Sequence, residues 1–287
     1  MTLRTRRQFL GAAAAAASTA TLLQGRTLKT VGVQLYTVRS IINNDPLAVL
    51  RSLEQIGYRE AECVAANLDK VHAALKQTQI KPVSVHLDTA LFTRNQDKLP
   101  AALDDAKAKG FQYVVCPYIA PQDRGGVDVI RKLGETLNKA GESCNKSGLK
   151  LCYHNHAFEF EPVPGGTGTL LDVLMQTADP KLVNLELDIM WSQVAGVDPV
   201  SVIQKYAKRV SLMHVKNVAK DVPKLYNEKV PREAFRDVGS GSINIAAVLK
   251  AAQKAGVQHF FVEQDQTPGN PVDSLRQSHE YLAKLSY

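Results

Sequence analysis

VNLELD at residues 183–188, VSLMH at 210–214 and FFVE at 260–263 are apolar runs that each end on a metal-ligating residue: Asp188, His214 and Glu263. Short runs of this kind read as strands buried on both faces of a parallel sheet. When such strands close into a barrel, their C-terminal ends converge on one mouth, and that mouth is where barrel enzymes carry their chemistry. A carboxylate, an imidazole and a second carboxylate meeting there suit a divalent ion of intermediate hardness, such as manganese, cobalt or zinc. The preceding strand, LKLCYHNH at 149–156, runs into AFEFE at 157–161 and so holds the densest group of ligand-type residues in the chain. A fourth ligand is expected from it.

From Thr30 onward the same alternation of apolar run and amphipathic stretch repeats. TVGVQLY precedes a helix expected from Asp45, with Pro46 in its first turn, where proline's missing N–H is not needed. YREAECV precedes a helix from about Asn67, KPVSVHLD one from about Asn95, and FQYVVCPY a long one over Gly126 to Lys146. After LKLCYHNH a helix is expected from about Thr167, and after VNLELDI another from the Asp198–Pro199 cap. RVSLMHVK leads through a loop to a helix from about Asn244, and QHFFVEQD to the last, from about Pro271. Gly57, Gly110, Gly148 and Gly256 stand before strands as helix stops. Eight β-then-α units without a second composition zone predict an α/β chain forming one (β/α)₈ TIM barrel over residues 27–287. A doubly wound open sheet is disfavoured, because no Gly-x-Gly-x-x-Gly follows the first strand.

The 287 residues and 45% hydrophobic content suffice for one large core. The formal net charge of +7 is scattered, with no long basic run and no aromatic interleaving, which argues against a nucleic-acid face. Cys63, Cys116, Cys144 and Cys152 form no Cys-x-x-Cys pair and read as buried free thiols. Thr5-Arg6-Arg7-Gln8-Phe9-Leu10 resembles a twin-arginine export motif, and an alanine-rich run, Gly11 to Leu23, follows it. Residues 1–26 are therefore expected to be a twin-arginine signal peptide. Its apolar run is too short to serve as a stable membrane anchor. The twin-arginine translocase is then a partner and the periplasm the destination. That route resembles one taken by folded proteins, which suits an enzyme that takes up its metal in the cytoplasm.

Read in order, the strand ends carry Gln34 and Tyr36, Glu62, His86 and Asp88, Tyr118, His154-Asn155-His156, Asp188, His214 with Lys216, and Glu263 with Asp265. Each has a bland explanation alone: a strand-end His can be a satisfied structural residue and a carboxylate can cap the next helix. Three ligand types on consecutive strands weaken those explanations. The segments VGVQLYTVRS, YHNHAFEF, LELDIMWSQVAGVDP, HVKN, VGSGSIN and VEQDQT resemble the xylose-isomerase-like TIM-barrel superfamily, and in particular its exported sugar phosphate isomerase/epimerase members.

The resemblance implies one divalent ion, manganese first, with cobalt, zinc or magnesium as alternatives. It implies ligands Asp188, His214, Glu263 and Glu159, with His154 or His156 as alternatives to Glu159; Glu161 reads as solvated. The implied chemistry is sugar isomerisation or epimerisation by proton transfer through a metal-bound enediolate. Glu159 and Glu263 would act as acid and base, Lys216 would stabilise the oxyanion, and His156 would assist. His86, His154 and Trp191 would bind substrate. A lyase acting on 3-keto-glycosides would use the same site, and a non-catalytic sugar-binding barrel is a third reading. Oligomerisation stays open. The superfamily's DNA-repair members resemble a strand-six Asp-x-x-His, whereas this chain has Asp188-Ile189-Met190-Trp191. The stretch Gly239-Ser240-Gly241-Ser242 reads first as a tight turn and second as a phosphate cradle. An exported enzyme is expected to meet a free sugar or glycoside rather than a sugar phosphate.

Replacing Arg6 and Arg7 together by lysine should leave the precursor in the cytoplasm, as followed by cell fractionation. Normal maturation of that variant would remove the export reading.

Overall fold

A computed structural model describes residues 26–287; apart from Arg26, the expected signal peptide lies outside these residues. Eight parallel strands close into a barrel: β1 Gly32–Gln34, β2 Glu60–Val64, β3 Lys81–His86, β4 Tyr113–Cys116, β5 Lys150–His154, β6 Val183–Asp188, β7 Val210–Val215 and β8 His259–Val262. They neighbour one another in chain order, and β1 pairs with β8. The main helices are α1 Pro46–Ile56, α2 Leu68–Leu75, α3 Leu99–Ala108, α4 Val127–Lys146, α5 Leu170–Thr177, α6 Pro199–Lys205, α7 Ile245–Ala255 and α8 Pro271–Lys284. No helix among the described residues is long and apolar enough to cross a membrane.

The helix starts follow from local chemistry. Asp45, Asp198 and Asn270 each accept backbone N–H bonds at the first turn, with proline next in sequence. Thr169 and Asp172 form a reciprocal capping box at α5. Two short helices were not expected from sequence: Thr89–Phe92, capped by Asp88, and Ile189–Val194, capped by Asp188. All four cysteines are buried and free.

Period-two alternation sends one side-chain set of each strand inward. Val83, Tyr113, Val115, Cys152, Leu212 and Phe261 form a buried apolar cluster apart from the larger core under the helices. Along β5, β7 and β8 the inward residues then turn polar: Cys152 gives way to His154, Leu212 to His214, and Phe261 to Glu263. The register fixes who meets whom. His154 pairs with Glu186, Asp188 with His214, and Phe261 with His214. Register shifts fall between Ala61 and Glu62 and between Leu185 and Glu186, each immediately before a buried carboxylate. In both, the extra residue lies on the neighbouring strand, Val83 on β3 and Ser211 on β7.

Gly32 supplies the gap into which Phe261 packs. A Cβ on Gly32 would sit 2.5 Å from Phe261 Cδ1 and 3.0 Å from the Phe260 carbonyl oxygen. Gly32→Ala should therefore destabilise the barrel by about 1–3 kcal/mol, the usual scale of overpacking. Denaturant unfolding checks this, and an unchanged midpoint would mean that the Phe261 ring yields freely.

Candidate active site

At the C-terminal mouth, alternation along β7 and its extension places His214 and Lys216 on the inner face, with Asp188 beside them on β6. His214 Nδ1 lies 2.8 Å from Glu263 Oε2 and 3.9 Å from Asp188 Oδ2. His154 Nε2 lies 3.8 Å from the same Asp188 oxygen. Lys216 Nζ reaches Glu263 Oε2 at 2.6 Å, Asp265 Oδ2 at 2.8 Å and Asp188 Oδ2 at 3.0 Å. Asp188 divides its oxygens between two tasks. Oδ1 accepts the N–H groups of Met190 and Trp191 and so caps the short helix, which leaves Oδ2 aimed into the mouth. Asn155 ties the ends of β5 and β6 together, accepting the Asp188 N–H and donating to the Asp188 carbonyl.

One layer deeper are Glu62, Glu186 and His86. His86 Nε2 lies 2.9 Å from Glu62 Oε1 and 2.9 Å from Glu186 Oε2. His154 turns Nδ1 towards Glu186 at 3.0 Å, and His214 turns Nε2 towards Glu62 at 2.5 Å. Ser84 Oγ donates to the other Glu62 oxygen. Gln34 faces His86 Nδ1 with its amide nitrogen at 3.2 Å, while its oxygen accepts the Tyr36 N–H.

Burial and charge compete at every group. Burial opposes the charge on Glu263, but Lys216 and His214 outweigh it and hold the carboxyl well below its usual range. Burial likewise opposes charge on His214, and the carboxylates of Glu186, Glu263 and Glu62 push its imidazolium well above the ordinary value. His154 and His156 go the other way. Burial lowers both, and neighbouring positive charge, His214 first for one and Lys216 for the other, adds to it. Glu186 is pushed up to about 7 by burial and then by Glu62.

The two sets of ligand atoms lying within 4.8 Å of one another among the described residues are Asp188, His214 and Glu263 above, and His86, His154, Glu186 and His214 below. The donors fit a divalent ion. Asp188 Oδ2 and His214 Nδ1 are buried without a hydrogen-bond partner among the described residues, although Lys216 and Glu263 approach them at 3.0 and 2.8 Å. Carboxylate and imidazole donors together suit manganese, cobalt or zinc.

The structure brings Asp188, His214, Glu263, Lys216 and His154 together, as the sequence led one to expect. It does not bring Glu159 to them. The 3-10 turn Phe158–Phe160 folds that side chain back, where it accepts from Tyr153 Oη at 2.7 Å and from the His156 N–H at 2.9 Å. The fourth donor facing Asp188 is His154 Nε2. Glu161 is exposed. Asp88 is spent on its helix cap. His86, His154, His156, Trp191, Lys216, Glu263 and Asp265 line a cavity of ≈ 500 Å³ that opens at the barrel mouth. Tyr36, Tyr118 and Phe235 add aromatic walls. Glu228 and Arg124, paired at 2.8 Å, link the loops after β7 and β4. The Gly239–Ser242 stretch is a turn. The N–H groups of Ser240, Ser242 and Ile243 already donate to Asp237, Val218 and Asn217, so they offer a phosphate nothing.

Sequence reasoning passed over Glu186 entirely and assigned no role to Glu62. The signal for Glu186 was available, since two residues before Asp188 on a strand means the same face.

Burial pushes Glu159 up to about 8 from 4.5, against its hydrogen bonds to Tyr153 and the His156 N–H. The folded state thus holds a proton that the unfolded chain releases. Stability from this group is full at acid pH and is lost as pH rises through about 8. Glu159→Gln removes the charge, so thermal melts between about pH 5 and about pH 8 should show a smaller loss of stability than wild type. An identical slope in the two proteins would contradict this placement.

Residues 48–285 match the family model described as xylose isomerase-like TIM barrel. An inosose dehydratase of Clostridium tetani is 28% identical over 166 residues, 53% of this chain and 53% of its own length, so the chain spans about half the length of the curated relatives it matches. A sugar phosphate isomerase/epimerase of Parabacteroides distasonis superposes with a TM-score of 0.76 at 20% identity, covering 90% of this chain and 99% of its own. An IolI protein with a bound zinc atom superposes with a TM-score of 0.70 at 15% identity, covering 90% and 99%. At these identities the two structures speak for the fold alone. The match across most of the chain, together with the closed eight-strand barrel, places this chain in the xylose isomerase-like TIM barrel family.

Proposed function

We propose that this protein is a metal-dependent enzyme that moves a proton on the carbon beside a carbonyl of a sugar or related polyol, and so acts as an isomerase or epimerase. The observation that carries the reading is the convergence of Asp188 Oδ2, His214 Nδ1, Glu263 and His154 Nε2 at a cavity with aromatic walls. A divalent ion held by these four residues, manganese first and cobalt, zinc or magnesium after it, supplies Lewis acidity at the substrate oxygens.

The remaining roles fall to residues on the cavity wall. His156 is neutral at physiological pH, since burial lowers its imidazolium, and its buried Nδ1 has no hydrogen-bond partner. A neutral imidazole on the wall of a sugar-sized cavity is the group best suited to take the proton. Glu159 holds the His156 backbone from behind, which replaces the direct proton-transfer role expected from sequence. Lys216 puts positive charge where negative charge develops on the substrate oxygen. Trp191, 2% exposed and 5.5 Å from the His156 ring between centroids, gives the sugar an apolar wall.

The half-length likeness to inosose dehydratases favours a second reading. Proton removal followed by loss of an oxygen substituent on the next carbon makes the same site a lyase, acting on a 3-keto-glycoside or a keto-polyol. The export expected from residues 1–26 favours a free sugar or glycoside in either case.

The test is a panel of ketoses, keto-polyols and 3-keto-glycosides with the manganese-loaded protein in deuterated water. Solvent deuterium should enter the carbon next to the carbonyl, and the product distinguishes isomer, epimer or eliminated alkene. Retention of all original hydrogen through many turnovers would replace proton transfer by hydride shift. Asp188→Ala and His214→Ala should lose most bound metal while the barrel stays folded. His156→Ala should keep the metal and lower kcat by about a hundredfold or more.

A further inference from the structure

The two ligand sets share two histidines, and they share them through opposite nitrogens. His154 gives Nε2 to the mouth and Nδ1 to Glu186; His214 gives Nδ1 to the mouth and Nε2 to Glu62. An imidazole carrying one proton offers one lone pair. Filling both layers with ions would therefore require both rings to lose their last proton. One layer holds metal and the other holds protons. The mouth layer meets the cavity through His154, Lys216 and Glu263; of the deep layer His86 reaches it, whereas its carboxylates Glu62 and Glu186 are fully buried and do not line it. An ion that contacts substrate belongs in the mouth.

Resting on the proposed metal reading, we infer that Glu62 and Glu186 are positioning residues. They form a proton-holding layer beneath the site that fixes which ring nitrogen of His214 and His154 faces the ion. Glu186 accepts the Nδ1–H of His154, so Nε2 is left bare beside Asp188. Glu62 accepts the Nε2–H of His214, so Nδ1 is the nitrogen available to an ion. His86 joins the two carboxylates by one nitrogen, 2.9 Å from each, and Gln34 backs it from the other side. Ser84 Oγ occupies the second oxygen of Glu62. Carboxylates hydrogen-bonded to the far nitrogen of a ligating histidine orient the ring and raise its basicity.

The tautomer of His154 is the direct readout, and it needs no metal. In metal-free wild-type protein, nitrogen-15 NMR of the imidazoles should show the His154 proton on Nδ1, the nitrogen that faces Glu186. A proton on Nε2 would overturn the inference. Zinc titration against a competing chelator should give one ion per chain for wild type. Glu186→Gln and Glu62→Gln should each weaken zinc binding by about 10–100-fold, the usual effect of losing such a partner. Asp172→Asn, a buried carboxylate lost from the α5 capping box, should destabilise the fold and leave zinc affinity unchanged. That control separates positioning from a general loss of stability. Wild-type affinity in both glutamine variants would overturn the inference. So would two zinc ions per wild-type chain with one lost in Glu186→Gln, since the deep layer would then be a metal site itself. If wild type takes up no zinc, the metal reading falls, which is a different result from tight uptake that the variants leave unchanged. Should a glutamine variant fail to fold, the His154 tautomer in wild type still decides.

Discussion

The carboxyl groups of Glu62 and Glu186, sealed inside the barrel, constrain everything around them. A buried carboxylate without partners is too costly to keep, so its neighbours must be donors or cations. Here they are three imidazoles and one hydroxyl, all reached across strands. Removing any one partner leaves charge uncompensated in a place water does not reach. The cluster therefore dictates ring orientation, and ring orientation dictates where a metal can sit. Tyr113, Cys152, Leu212 and Phe261 belong to a separate buried apolar cluster inside the barrel.

The eight-unit architecture was legible in the sequence because its signals are local. Proline after Asp45, Asp198 and Asn270, and glycines at helix ends, act over one turn of chain. The strand-end residues Asp188, His214 and Glu263, which converge at the mouth, were legible because each closes an apolar run. Glu159 misled for a physical reason. Its place in the sequence, three residues past His156, is compatible with a loop reaching over the mouth, but the 3-10 turn at Phe158–Phe160 folds it back under Tyr153. Nothing in a one-dimensional pattern distinguishes those two outcomes. Glu186 was hidden differently: embedded between Leu185 and Leu187, it reads as an interruption of an apolar strand unless the inward face is followed residue by residue. Its partner His86 is 100 residues away, and only barrel closure brings them together.

Several polar groups that look functional in sequence are spent on architecture. Asp88 caps a short helix, Asn155 ties β5 to β6, and the Ser240 and Ser242 amides of the Gly239–Ser242 turn donate to Asp237 and Val218. Asp188 does both kinds of work at once, one oxygen on the helix cap and one on the site. That division matters for precision. A carboxylate anchored by two backbone N–H groups cannot rotate freely, so its second oxygen keeps its direction whether or not a ligand is present.

Trp191 shapes the donor set and the wall of the cavity in one step. It stands three residues after Asp188, one helical turn on, and its ring packs near His156, Lys216 and Phe235. A histidine there would offer a further nitrogen to the mouth; an indole offers only a donor and an apolar face. With His154 and His214 each turning one nitrogen towards a buried carboxylate, and Trp191 offering no lone pair, the proposed site would keep donors for one ion. The Trp191 ring gives the cavity an aromatic face, the kind of surface on which the apolar side of a sugar ring packs.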